Sequence, residues 1–122
     1  MSDSLEVMRA ATRAAGAERP AVLATIVRAR GSTPRGAGSR MLIEPARGIT
    51  GTIGGGCGEA QVIDASAEVL RTGLPRMIRV DLTEDLLSWS PAVCGGVFDV
   101  LLEPITNVPA QLTVDPSSSG AP

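Results

Sequence analysis

Ile49-Thr50-Gly51-Thr52-Ile53-Gly54-Gly55-Gly56-Cys57-Gly58-Glu59 is the stretch on which the fold turns. A short β-branched run breaks into adjacent glycines, and the spacing changes from that of a strand to that of a helix. Ala60, Ile63, Ala67 and Leu70 fall on one helical face, closed by Gly73 and Pro75. This predicts a glycine-rich loop feeding a helix N-terminus. Upstream, Arg40-Met41-Leu42-Ile43-Glu44 is a second short strand, and a turn holding Pro45 and Gly48 joins it to Ile49–Ile53 as a hairpin. Earlier still, Ala21 to Val27 is an unbroken apolar, branched run, read as a strand buried on both faces.

Residues 3 to 16 read as an amphipathic helix. Asp3 is the expected N-cap with Glu6 three residues on, Leu5, Met8, Ala11 and Ala15 are apolar, and Gly16 is the stop. Downstream, Arg76 to Leu82 alternates, with Ile78, Val80 and Leu82 on the buried side and Met77, Arg79 and Asp81 on the other. Thr83 to Val93 reads as a loop with one helical turn, in which Trp89 is a core or interface anchor. Val97 to Glu103 is a further strand. The expected class is α/β or α+β: one small domain with a mixed β-sheet, an N-terminal helix, and a central helix after the glycine-rich loop. Residues 1–104 form that domain. Residues 105–122 lose periodicity and end in Asp115-Pro116-Ser117-Ser118-Ser119-Gly120-Ala121-Pro122, so a disordered tail is expected there.

At 122 residues, with 43% hydrophobic and 20% charged residues, the chain supports one packed core. Histidine is absent, which removes Ser-His-Asp hydrolysis, Cys-His proteolysis and histidine-containing zinc sites. Lysine and tyrosine are absent as well, so Schiff-base, Walker-type and aromatic stacking chemistries lack their residues. All 11 basic residues are arginine, the formal net charge is -2, and pI is near 5.0. That balance gives no general attraction to nucleic acid or anionic lipid. The N-terminus lacks a secretory signal, and no apolar run approaches the roughly 18 to 20 residues that span a bilayer. A cytoplasmic protein is expected, with Cys57 and Cys94 as thiols rather than a disulfide.

Three loops are suited to chemistry. Arg28 to Arg40 holds four arginines, two serines and three glycines, a composition that suits phosphate or carboxylate recognition, or else a solvated turn. Gly54-Gly55-Gly56-Cys57-Gly58 sets a thiol at or just before a helix start, where amides and the helix dipole favour an anion and a thiolate. Glu59 in the first helical turn is a site residue or simply a complement to that dipole. The third loop, ending in Cys94-Gly95-Gly96, again places a thiol against glycines, where it is either reactive or a small buried hydrophobe.

With Gly31-Ser32-Thr33-Pro34-Arg35, Gly51 through Glu59 and Cys94-Gly95-Gly96 in this order, the chain resembles the XdhC/CoxI family, accessory proteins of xanthine dehydrogenase and carbon monoxide dehydrogenase. The resemblance spans about residues 20 to 104 and implies a non-catalytic chaperone. Such a protein binds molybdenum cofactor (molybdopterin), assists its sulfuration and delivers it to the apo-molybdoenzyme. On that footing Ser32, Arg35, Gly54, Gly55, Gly56, Cys57, Glu59, Cys94, Gly95 and Gly96 are the cofactor-binding set, with Cys57 or Cys94 as the contact to molybdenum or its sulfur. Implied partners are the apo-enzyme and a cysteine desulfurase, and a homodimer is the expectation because a small domain sheltering a large cofactor needs a second wall. Three departures stand out: longer relatives carry a C-terminal Rossmann-like domain, Gly58 stands where a larger apolar residue is expected, and Ala92-Val93 before Cys94 differs from the commoner pattern. The alternatives are a thiol-dependent sulfur-transfer or redox enzyme, in which Cys57 attacks and Cys94 resolves, and an interaction module without cofactor.

Overall fold

The computed structural model describes residues 2–31, 33, 35–53, 58–82 and 96–105. Seven elements follow in order: α1 (Ser2–Gly16), β1 (Val22–Arg30), β2 (Arg40–Glu44), β3 (Gly48–Gly51), α2 (Glu59–Thr72), β4 (Arg76–Asp81) and β5 (Val97–Pro104). The strands form one five-stranded sheet in the order β3-β2-β1-β5-β4. Every pairing is antiparallel, so the class is α+β, and the mixed sheet expected from sequence is corrected to a purely antiparallel one. The reason lies in where α2 leads. It joins β3 to β4, which run in the same direction, but these are the two outermost strands and cannot hydrogen-bond to each other.

Strand alternation divides the core between two faces. Val22, Ala24 and Ile26 of β1 pack with Met41 and Ile43 of β2, Phe98, Val100 and Leu102 of β5, Val80 of β4, and Val62 and Val69 of α2. The intervening Leu23 and Leu42 point to the other face, where Val7, Ala10, Ala11 and Ala14 of α1 cover them. β1 is thus buried on both faces over its first half, as its apolar run predicts.

Both helices bury a stripe that only partly matches the expected one, Ala11 and Ala15 of α1 and Leu70 of α2 being the residues in common. In α1 the buried residues are Val7, Ala10, Ala11, Ala14 and Ala15, while Leu5 and Met8 are 54% and 40% exposed. The approach is close: a Cβ on Gly51 would lie 2.5 Å from Val7 Cγ2, so Val7 packs directly on a glycine and the alanines complete the buried face. The helix also begins at Ser2, so Asp3 lies within it rather than at its cap. In α2 the inward residues are Val62, Ser66 and Val69, with Leu70 half-buried, while Ala60, Ile63 and Ala67 are exposed. Ser66 interrupts that stripe on paper, yet its hydroxyl donates to the Ile63 carbonyl at 2.6 Å, so the polar group enters the core satisfied.

β1 runs on through Arg30, three residues past its expected end, and the register with β5 shifts between Ile26 and Arg28. Ile26 and Ala29 both pack against the α2-side core, an odd spacing that plain alternation forbids and one extra bulged residue permits. Arg28 and Arg30 therefore stand on a strand, opposite Asp99 and Val97, and not in the first loop. β3 ends at Gly51, leaving Thr52 and Ile53 beyond it, and Gly48 belongs to the strand instead of the turn. β2, β4 and β5 match their expected spans to within one residue. Ile105 packs on the α1 cluster and its N–H donates to the Ala21 carbonyl at 2.8 Å. The expected tail beyond it and the 83–93 loop with Trp89 lie outside the described residues. Among the described residues no helix is long and apolar enough to cross a membrane.

Candidate functional site

The sheet register brings the strand ends that flank the three loops to one end of the sheet. Arg30 pairs with Val97, Asp81 with Val97, Thr25 with Arg40, and Met41 with Gly51. The end of β1, the start of β2, the end of β3, the end of β4 and the start of β5 thus share one border of the sheet. The first loop is held there by a pair of bonds, Ile26 N–H to Ser39 carbonyl at 2.9 Å and Gly38 N–H to Ile26 carbonyl at 2.8 Å. The third is anchored by Leu82 N–H donating to the Gly96 carbonyl at 2.8 Å.

At this border a cavity of about 310 Å³ is lined by Ser4, Arg35, Ala37, Gly38, Ser39, Arg40 and Thr52. Two arginines and three hydroxyl-bearing residues are among its lining, contributed by α1, the β1–β2 loop, β2 and the residue after β3. Arg40 Nε is shut off from solvent and has no hydrogen-bond partner among the described residues. Buried donors are almost always paired in native proteins, so an orphaned guanidinium N–H beside a cavity marks a place for an acceptor. Arg35 is exposed on the loop, whose shape is set in part by the Thr33 hydroxyl donating to the Arg35 carbonyl at 2.9 Å.

α2 starts beside the same border. Its cap residue, Gly58, has φ 76°, and a Cβ there would lie 2.5 Å from Val80 Cγ1, so the larger apolar residue expected at this position has no room. Glu59 occupies the first turn, half-buried, and accepts a hydrogen bond from the Thr52 hydroxyl. That bond ties the start of the helix to the segment leaving β3. Gly96 is buried, and its carbonyl closes the β4–β5 ladder. Of the sequence-predicted set, the structure brings Arg35 into the cavity and places Glu59 one hydrogen bond behind Thr52. Ser32, Gly54, Gly55, Gly56, Cys57, Cys94 and Gly95 lie outside the described residues. Among the described residues no group of three or more carboxylates or thiols gathers as a metal site.

Ser4, Ser39, Arg40 and Thr52 line the cavity without belonging to that predicted set. Ser39 and Arg40 stand inside the basic loop and Thr52 beside the glycines, so proximity to those motifs was their signal. Ser4 carried none, because only the packing of α1 on β2 and β3 brings it here.

On the open face beyond α1, Arg79 Nε donates to Asp99 Oδ1 at 3.0 Å. That hydrogen bond, with the positive charges of Arg79, Arg28 and Arg30, holds the Asp99 carboxyl below the usual aspartate range, and the Arg79 guanidinium is raised in turn.

Residues 14–81 match the profile of the XdhC and CoxI family, more than half of the chain. The chain belongs to that family. It is similar to a protein of Bacillus subtilis (strain 168) described as a probable xanthine dehydrogenase subunit, 37% identical over 91 residues, covering 73% of this chain and 28% of the relative. It is also 36% identical over 83 residues to the uncharacterized protein YqeB of Escherichia coli (strain K12), covering 68% of this chain and 15% of that one. The crystal structure of a xanthine dehydrogenase from Bacillus halodurans superposes with a TM-score of 0.69 at 36% identity, over 86% of this chain and 31% of that chain. This member of the family therefore spans less than a third of the length of each of these relatives.

Proposed function

We propose that this chain serves a xanthine dehydrogenase type molybdoenzyme as a carrier of its molybdenum cofactor. Membership of the XdhC and CoxI family and the xanthine dehydrogenase names of two relatives support the link to that enzyme class. The observation that carries the cargo reading is the Arg35–Arg40 cavity, which sits at the border from which the three loops leave the sheet and is lined by Arg40, whose buried Nε has no partner among the described residues.

The donor set fits the cargo. Molybdopterin presents a phosphate and a polar pterin, and guanidinium forks with hydroxyls are suited to both. When bound, the cofactor brings a molybdenum centre whose dithiolene sulfurs need shelter from water and oxygen. The chain's own residues supply binding and orientation: Arg40 from a rigid strand, Arg35 from the loop above it, and Thr52 fixed by Glu59. The thiols of Cys57 and Cys94 are assigned to the metal or sulfur end of the cargo, the apo-enzyme is the recipient, and a cysteine desulfurase is the sulfur source. A homodimer and a cytoplasmic location complete the proposal.

Equilibrium binding with cofactor released under anaerobic conditions tests it. Saturable binding is expected, and its absence at about 100 μM cofactor overturns the carrier reading. Arg35→Ala is expected to weaken binding by about 1.5 to 3 kcal/mol, while Arg76→Ala at the far end of the sheet leaves it unchanged. Equal small effects would show that the loop is a solvated turn.

A further inference from the structure

We infer that the cavity at the N-terminal end of α1 is a phosphate monoester subsite with Arg40 as its fixed anchor. The inference rests on the cavity's being the ligand site, and it specifies which part of a ligand the cavity reads. Arg40 differs from the other arginines of the basic segment in its backbone. It is held in β2, with Thr25 of β1 opposite it and the β2–β3 ladder beginning at the next residue, so its charge is placed by a strand rather than by a loop. Its Nε is buried beside the cavity and lacks an acceptor among the described residues.

The lining chemistry narrows the acceptor. Ser4, Ser39, Arg35 and Arg40 bring hydroxyl and guanidinium donors, and no carboxylate lines the cavity among the described residues. Glu59 stands behind Thr52 and takes the single hydroxyl proton of Thr52, which leaves Ser4 and Ser39 as the hydroxyl donors. A groove beside α2 offers the contrast: there Asp64 and Glu68 stand with Arg76 and Arg79, a mixture that does not select an anion. The Arg40 guanidinium and the two serine hydroxyls, with Arg35 beside them, suit the three terminal oxygens and roughly -1.5 to -2 charge of a phosphate monoester at pH 7 better than the two oxygens and single charge of a carboxylate. Ser4 makes α1 part of the site, so the helix does more than cover the sheet.

The test titrates the full chain at constant ionic strength with inorganic phosphate, glycerol 3-phosphate and acetate, followed by backbone amide NMR shifts. Saturable binding of both phosphates is expected, with the largest shifts at Ser4, Ser39 and Arg40 and none with acetate. Binding of glycerol 3-phosphate at least as tight as that of inorganic phosphate assigns the site to an esterified phosphate, whereas clearly tighter binding of the free ion overturns the monoester assignment. Arg40→Gln should weaken binding about tenfold or more, with Arg79→Gln unchanged. Ser39→Ala, which leaves the β2 side chains intact, should weaken it severalfold, and thermal midpoints of all variants establish that each is folded. Shifts centred on Arg28 and Arg30, equal response to acetate, or unchanged affinity in folded Arg40→Gln and Ser39→Ala overturn the subsite. Phosphate binding without cofactor binding overturns the carrier reading and leaves the subsite standing; cofactor binding indifferent to Arg40→Gln does the reverse.

Discussion

Gly51 and Gly58 look alike in the sequence, yet the structure asks different things of them. Both have positive φ, 82° and 76°, which L-residues adopt at a cost. At Gly58 an added Cβ meets the tip of a side chain, Val80 Cγ1 at 2.5 Å; at Gly51 it meets Val7 Cγ2 at 2.5 Å and also the Arg40 carbonyl oxygen at 2.8 Å. Gly58→Ala should destabilise by about 2 to 4 kcal/mol, and Val80→Ala in the same chain should recover part of that loss. Gly51→Ala should not be rescued by Val7→Ala, because backbone cannot withdraw; chemical denaturation of the two double-mutant cycles checks both. Asp99 gives a pH-dependent case. Its carboxyl is held low by the Arg79 hydrogen bond and the surrounding arginines, so the folded state binds its proton less readily than the unfolded chain does. The stability it contributes is complete above the ordinary aspartate value of about 3.9 and is lost as pH falls through the lower folded value. Thermal midpoints of wild type and Asp99→Asn should therefore differ by a constant amount above about pH 5 and converge in stronger acid.

At the scale of elements, the sequence shows where strands and helices lie better than which way they face. Alternation placed Ile78, Val80 and Leu82 correctly, because β4 is covered on one side only and its pattern is clean. Periodicity misleads for the helices because it does not rank size against fit: Leu5 and Met8 of α1 are the larger side chains, but the face that meets the sheet, with Val7 directly on Gly51, is Val7 and the alanines. The β1 bulge was illegible for a related reason, since Ile26-Val27 continues an apolar run and nothing local reveals that Val27 is an extra residue. Val27 is 45% exposed, and without it Ile26, Arg28 and Ala29 would alternate in plain register against Val100, Asp99 and Phe98. Deleting Val27 should therefore change stability by less than about 1 kcal/mol while weakening phosphate binding, because the strand feeding the 31–39 loop loses its bend. Equilibrium unfolding and the phosphate titration together test this. The candidate site was legible as three loops rich in glycine, arginine and cysteine, but its cavity is walled largely by Ser4, Ser39, Arg40 and Thr52, which only tertiary packing assembles.

For the whole molecule, the two strands at the centre of the sheet come from opposite ends of the described chain: Val22 pairs with Pro104. β5 also supplies Phe98, Val100 and Leu102 to the main core. A chain ending at Leu82 retains six of the seven elements, yet it is expected to show no cooperative thermal transition, because β4 loses its partner and β1 is left with a bare edge. Far-UV circular dichroism on heating checks this, and a sharp transition would show the α1-covered half-sheet to be self-sufficient. The same order of strands bears on how the protein is made. Emerging from the ribosome, α1 and the β1–β2–β3 meander can associate early, α2 then crosses toward an edge that does not yet exist, and β4 waits without a neighbour until the chain has been extended through residue 104. The half-built sheet is thus open at β1 for the whole time taken to synthesise α2, β4 and β5. In that interval the nascent chain depends on speed of elongation, or on a chaperone of its own, to keep the edge from finding the wrong strand.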